Sequence, residues 1–405
     1  MANCIIAQSG GPTSVINSSV VGLLKANKDL GIYDKVYGGL NGIQGILAGN
    51  IIELSSFSDD EIETFRYTPS SGLGSCRYKM KKLEESTEEY DKLLELLKVN
   101  DIKAFFYVGG NDSMDTIAKL GKYAKETGLD IKFIGIPKTI DNDLMFTDHT
   151  PGFGSAAKFI ATSTLETYLD ASVYINNGIF ILETMGRDTG WLAASSTLAR
   201  IDNKPVADFI YLPEVAFDID KFLNDVNNKF KKQNKVFIVV SEGLRNSEGK
   251  FITEVEKQAH DTFGHAQLGG VGSYLKNLII NSGITTRVKS LELGVLQRCA
   301  IHCASDIDLT EAFDAGYSAL KFSNEGNSGY MVGIKRESNS PYKSSHFLIE
   351  ADKIANNVKY FPKEWINKEG NNIKEEAFEY FSPLVFGAPN LKIKNSLPKF
   401  KTFNK

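Results

Sequence analysis

Cysteine is scarce: Cys4, Cys76, Cys299 and Cys303 are the 4 thiols of a 405-residue chain. So thin a set is no disulfide framework, and reduced thiols in the cytosol are the economical reading. Cys299, His302 and Cys303 read as lying on one helix without a second ligand pair, so no structural metal is expected there. Neither charge is in excess. The 46 basic and 50 acidic residues are interspersed and give a formal net charge of -4, with no basic strip for nucleic acid or an anionic membrane. No apolar run approaches the length of a membrane span, and Met1-Ala2-Asn3-Cys4-Ile5-Ile6 has no basic leader. The expectation is a cytoplasmic protein without membrane or nucleic-acid partners. Also missing are any Gly-x-x-x-x-Gly-Lys-Ser/Thr sequence, which disfavours a P-loop nucleotide hydrolase, and any solenoid-type repeat.

What is there is an ordinary globular composition, 42% hydrophobic and 24% charged, in a chain long enough for two or three domains. Residues 3–8 read as a buried strand, Ser9-Gly10-Gly11-Pro12-Thr13-Ser14 as a glycine turn, and Val15, Ile16, Val20, Leu23 and Leu24 as the start of a helix. Such a turn offers unpaired backbone N–H groups to an anion; the plain alternative is a strand-to-helix connection capped by Thr13 or Ser14. Residues 70–77 form a second small-residue loop ending in Arg77, whose guanidinium can bridge polyphosphate oxygens. An outer helix is expected over 84–98. Residues 104–108 read as a strand, 109–113 as a tight loop, 114–127 as a helix and 132–136 as a further strand.

That last strand runs into Pro137-Lys138-Thr139-Ile140-Asp141-Asn142-Asp143. Two carboxylates beside a lysine and a hydroxyl can supply a base, a metal ligand and an anion partner from one short loop. The bland alternative is a solvated acidic turn. Repeated strand–loop–helix units imply parallel sheets, whose strand-end loops gather at one site, so loops 9–14, 109–113 and 137–143 are expected to face a common crevice. The alternation restarts after 154, with polar groups at Thr184-Met185-Gly186-Arg187-Asp188 and Ser241-Glu242-Gly243. Residues 265–281 look helical, 287–296 mixed, and 296–304 the start of an apolar helix. The lysine- and asparagine-rich stretch from 335 onward is the least informative.

Taken in order, Gly10-Gly11, Gly109-Gly110-Asn111-Asp112-Ser113, the 137–143 loop, Met185-Gly186-Arg187, Ser241-Glu242-Gly243 and Leu296-Gln297-Arg298 resemble the phosphofructokinase family over about residues 3–335. The resemblance implies two Rossmann-like three-layer α/β domains facing each other across the active site. Residues 1–154 with about 297–345 would form the donor domain, and 155–296 with part of 346–405 the sugar-phosphate domain. ATP-dependent members typically have glycine where this chain has Asp112 and Lys138. A carboxylate at 112 obstructs a nucleotide's α-phosphate, while a lysine at 138 offers a cation to free pyrophosphate, so the pair resembles the pyrophosphate-dependent branch.

By the same resemblance, Asp141 is the general base toward the 1-hydroxyl of fructose 6-phosphate, with Asp143 in support. Lys138 and Thr139 hold the transferring phosphoryl group, and Gly11 and Arg77 the rest of the donor. Asn111 and Asp112 sit in the magnesium loop, although the family commonly has aspartate at the Asn111 position. Met185, Gly186 and Arg187 contact the sugar phosphate, Glu242 a sugar hydroxyl, and Arg298 with Lys289 the 6-phosphate. Bacterial ATP-dependent members carry arginines, supplied across a subunit interface, where this chain has Gly178 and Lys289; either Arg287 or a partner residue fills the first place or the phosphate grip is looser than in those members. Val295 stands where a histidine or tyrosine is usual. A reversible, magnesium-dependent pyrophosphate:fructose 6-phosphate phosphotransferase of glycolysis and gluconeogenesis, a homodimer or homotetramer, is the expectation. The rivals are an ATP-dependent kinase and a non-catalytic sugar-phosphate-binding regulatory subunit.

Overall fold

Apolar runs with no polar alternation become strands covered on both faces, as parallel sheets require. Strand Asn3–Gln8 is buried from Cys4 onward, and Ile179–Thr184 and Val236–Ser241 are buried throughout. The structure, a computed structural model, describes residues 2–175, 178–253 and 270–403. They form two compact units: Met1–Ser155 with Arg298–Val358 and Phe386–Lys405, and Ala156–Gln297 with Lys359–Val385.

The first unit holds a seven-stranded sheet. Its order is Tyr342–Glu350, Tyr330–Asn339, Lys132–Pro137, Ile102–Gly109, Asn3–Gln8, Val36–Gly39 and Ile51–Glu53. The five inner strands run parallel and the two edge strands antiparallel. Helices cover both faces. Helix Asn111–Glu126 buries Met114, Ile117, Leu120 and Ala124, a helical stripe that joins Phe105 and Phe133 in one core. Helix Ile16–Leu30 buries Ile16, Val20 and Leu23 on the other face beside Ala315, Ala319 and Leu320 of helix Asp306–Asn324. The expected outer helix spans Glu88–Val99 and buries Tyr90, Leu93, Leu94 and Leu97.

Two readings are corrected. Residues 111–113 are not loop: Gly110 caps a helix whose first turn contains Asn111 and Asp112. Nor is 296–304 one helix. Leu296–Cys299 makes a single turn, Ile301–Cys303 a 3-10 turn, and the long helix begins only at Asp306, where the Ser305 side chain accepts from the Asp308 N–H. Cys299 and the His302/Cys303 pair therefore lie on separate short elements.

Residues 386–403 return to the first unit. Lys392 and Lys399 pair with Asp60 and Lys401 with Glu61 on helix Asp59–Arg66. Phe403 is buried against Phe57 and Phe65, with ring centroids 4.3 and 4.8 Å away.

The second unit has a four-stranded parallel sheet in the order Val288–Glu292, Ile179–Thr184, Val236–Ser241 and Phe209–Tyr211. Residues 265–269 of the expected helical stretch lie outside those described; the rest is helix Val271–Asn281. Residues 359–385 are fixed to this unit by aromatic packing. Trp191 has Phe361, Tyr380 and Phe381 at centroid distances of 5.0, 5.5 and 6.3 Å.

Candidate active site

In the first unit the strand ends bring the glycine turn and the acidic loop together. Gly10 takes φ 73°, a left-handed conformation that suits glycine. Its N–H donates to Cys76 O at 3.0 Å, and Ser75 Oγ donates to Gly10 O at 2.7 Å, so the loop bearing Arg77 is tied to the turn. A Cβ at Gly10 would lie 3.2 Å from Lys138 Nζ, and one at Gly11 would lie 3.4 Å from Arg298 Nη1. Two cations thus stand over adjacent glycines. Arg298, expected at the sugar 6-phosphate, is beside Gly11 in the donor unit.

Lys138 is buried. Its N–H donates to Gly109 O at 3.0 Å, prolonging the strand pairing, and its Nζ donates to Gly11 O at 2.7 Å. Burial pushes the ammonium pKa down to about 8; Asp141 and Asp143 pull it up, while Arg298 and Arg77 push it further down. Those causes show that all five charged groups act on one small region. Cations outnumber carboxylates there, and one of those cations is dehydrated, so the region is prepared for an anion.

The acidic loop is held by its own hydrogen bonds. Thr139 Oγ1 donates to Asp141 Oδ2 at 3.2 Å and accepts from Asp141 N at 3.1 Å. Asn142 is fully buried with φ 54°, a conformation uncommon outside glycine that asparagine tolerates best. It turns the chain between the half-buried Asp141 and Asp143. At the loop's base Thr139 N donates to Pro151 O at 3.2 Å, and Thr150 Oγ1 to Thr139 O at 2.8 Å.

Asp112 is half-buried in the first helical turn, where the helix dipole favours a carboxylate. Its neighbour is otherwise engaged. Asn111 Nδ2 donates to Asn357 O and its Oδ1 accepts from Asn356 N, both at 2.5 Å. The carboxamide expected at a metal thus ties down residues 356–357.

In the second unit Thr184 and Ser241 are paired, which brings Met185–Arg187 alongside Glu242. Gly186 N donates to Glu242 Oε1 at 3.3 Å, and Met185 N to Gln297 Oε1 at 3.2 Å. Arg187 Nε is buried with no hydrogen-bond partner among the described residues. A guanidinium left so is a demand for an acceptor. Lys289 is elsewhere. It pairs with Phe180, four residues before Thr184, so about 13 Å separates it from the cluster along the strand at ~3.3 Å per residue. It is exposed, 3.9 Å from Asp170. Gly178 lies at the same end, where a Cβ would meet Arg287 O at 2.2 Å, so no side chain fits there; the Arg287 guanidinium is 5.9 Å from the Tyr174 ring.

Sequence reasoning gave no role to four residues that hold these loops. Gln297 is one; Asp308, Glu311 and His149 are the others, all buried in the first unit except Gln297 in the second. Asp308 had a legible signal, since Ser305 three positions earlier makes a cap sequence. His149 had none.

Strand-end loops that gather cations, carboxylates and glycine turns in parallel α/β units define a protein built to hold anionic groups. The chain matches the family model for phosphofructokinase over residues 3–322. It is 40% identical over 401 residues to the pyrophosphate–fructose 6-phosphate 1-phosphotransferase of Xanthomonas campestris pv. campestris (strain B100), covering 98% of this chain and 95% of the relative. Identity to the protein of the same name from Halomonas elongata is 38% over 400 residues, 98% of this chain and 95% of the relative. The crystal structure of pyrophosphate-dependent phosphofructokinase from Nitrosospira multiformis aligns with TM-score 0.88 at 37% identity, over 98% of this chain and 95% of that one. This chain belongs to the phosphofructokinase family.

Proposed function

We propose that the chain transfers a phosphoryl group from pyrophosphate to the 1-hydroxyl of fructose 6-phosphate, giving fructose 1,6-bisphosphate and phosphate. The observation that carries the donor choice is Lys138, buried with its ammonium on Gly11 O at 2.7 Å inside the glycine turn. A fixed cation there suits a compact, highly charged donor, and Asp112 at the neighbouring helix start disfavours a longer nucleotide. Near-full-length relatives named for this reaction support the same reading. Both phosphate compounds are of similar energy, so the reaction runs in either direction.

In this reading Asp141, oriented by Thr139, takes the proton from the 1-hydroxyl as the oxygen attacks, and Asp143 supports it. Lys138 and Thr139 hold the transferring phosphoryl group; Gly11 and Arg77 hold the rest of the donor. Phosphoryl transfer depends mainly on alignment and charge neutralisation, which these groups supply. Met185, Gly186 and Arg187 bind the sugar phosphate, with the Arg187 Nε given an acceptor, and Glu242 a sugar hydroxyl. Arg298 serves the phosphate charge. Lys289, far from this cluster within one chain, reaches a neighbouring copy's site in a homodimer or homotetramer.

Among the described residues no three His, Cys, Asp or Glu side chains gather as a metal cage. That suits magnesium, which is held by one or two carboxylates together with substrate phosphates and water. Asp112 would hold the ion, since the Asn111 carboxamide is committed to 356–357. A magnesium ion bound there would neutralise donor charge.

A coupled assay with each donor is the test. Turnover with pyrophosphate and little with ATP is expected; turnover with ATP alone would sink the reading. The double variant Asp112→Gly/Lys138→Gly should lose pyrophosphate activity sharply, and unchanged kinetics would remove the donor argument.

A further inference from the structure

The loop 138–152 is pinned well away from its reactive end. Ile334 N donates to Thr147 Oγ1 at 2.9 Å, and Asp148 N donates to Ile334 O at 2.9 Å. The deeper anchors come from one helix, Asp306–Asn324. Asp308 accepts from Gly152 N at Oδ1 and from Ser155 N at Oδ2, both at 2.8 Å. One turn on, Glu311 Oε2 is 2.5 Å from His149 Nε2, and His149 Nδ1 is 2.8 Å from Asp148 Oδ1. Tyr342 OH donates to Glu311 Oε1 at 2.7 Å, and Arg336 Nη2 to Asp148 Oδ1 at 2.9 Å. Asp308, Glu311 and His149 are all buried. Buried polar groups are costly to leave unmet, so this set of partners favours one loop conformation.

The same helix also meets the donor side. A Cβ on Gly22 would fall 1.9 Å from Phe313 O, and one on Gly316 1.9 Å from Ser19 O, so the two helices touch backbone to backbone. Ser18 Oγ donates to Leu309 O at 2.6 Å. The helix that follows the Gly10–Gly11 turn and the loop that carries Asp141 are therefore both fastened to Asp306–Asn324.

We propose that Asp308, through the Gly152 and Ser155 amides, and Glu311, through His149, are positioning residues that set Asp141 against the donor turn. Neither belongs to the reacting set. Loss of alignment at the base reduces the chemical step while leaving ground-state binding in place, so the effect falls on kcat and not on KM. The inference rests on the activity proposed above.

Three variants test it: Asp308→Asn, Glu311→Gln and, as a control, Leu320→Ala, a buried residue of the same helix remote from the loop's hydrogen bonds. The first two should each lower kcat about tenfold or more with both KM values within about twofold of wild type. Hydrogen exchange in peptides covering 138–152 should accelerate in both. Leu320→Ala should lower the melting temperature with kcat and loop exchange unchanged. An unchanged kcat in folded Asp308→Asn and Glu311→Gln overturns the proposal, as does a rise in KM without a fall in kcat. Unchanged exchange in 138–152 also overturns it. A wild-type protein that turned over neither pyrophosphate nor ATP would sink the proposed activity, and the exchange measurement would then decide the positioning role.

Discussion

Lys138 is a cation kept from water, and its protonation has to be purchased from its surroundings. With its pKa pushed down to about 8, it is charged below that pH and neutral above it. In the proposed reaction kcat/KM for pyrophosphate should therefore fall as pH rises through about 8, because kcat/KM reports groups of the free enzyme. A Lys138→Met variant should be weaker by roughly a hundredfold, in keeping with the loss of a buried charge-assisted contact, and should lack that limb of the pH profile. Asp141 has a different signature. In Asp141→Ser, calorimetry should find fructose 6-phosphate binding nearly intact while turnover disappears; surviving turnover would refute its role as the base.

His149 offers a third residue-level check. Burial alone would lower its pKa, but Glu311 and Asp148 outweigh it and hold the imidazolium up to about 9. Tyr342, Arg336, His346, Asp308 and Asp314 are further charged and titratable groups that act on this cluster. A folded pKa above the usual 6.5 means the stabilisation is complete below pH 6.5 and is lost as pH rises through about 9. Urea midpoints of the wild type should drop over that window, and those of His149→Gln should drop less.

Among the elements, legibility followed continuity. Runs such as 104–108 and 132–136 were readable because parallel strands buried on both faces need no alternation. The helix start at Asn111 was missed because Gly-Asn-Asp-Ser is turn chemistry in sequence, while in space Gly110 only caps and the next residues already wind. The stretch 296–304 failed for the opposite reason. Gln297, Ala300 and Ile301 are buried at i, i+3 and i+4, the spacing of a helical face, yet they fall on or beside two separate tight turns, so burial at helical spacing imitated an apolar helix. For the site, the residues that bear charge at strand ends were legible from their motifs, whereas His149 and Glu311 depend on a pairing across 162 positions that no local pattern announces. The segment 359–385 was opaque because its aromatics follow no period; they meet only around Trp191. Trp191→Ala should cost about 3–5 kcal/mol, read by equilibrium unfolding of the second unit.

For the whole molecule, neither compact unit is a single stretch of chain. The first is assembled from three segments and the second from two. The last described residues, though far along the sequence, contribute core to the first unit, and Phe403→Ala should lower its stability by about 3 kcal/mol, measured by urea titration.

The seat of Phe403 also bears on how the protein is made. Phe57 and Phe65 leave the ribosome long before Phe403 does, and helix Asp306–Asn324, which fastens the early helix Ile16–Leu30, emerges late as well. During synthesis the first sheet must wait with apolar surface uncovered. A nascent chain stalled before residue 298 should bind a hydrophobic-surface chaperone, and release should come only when the later segments have been translated.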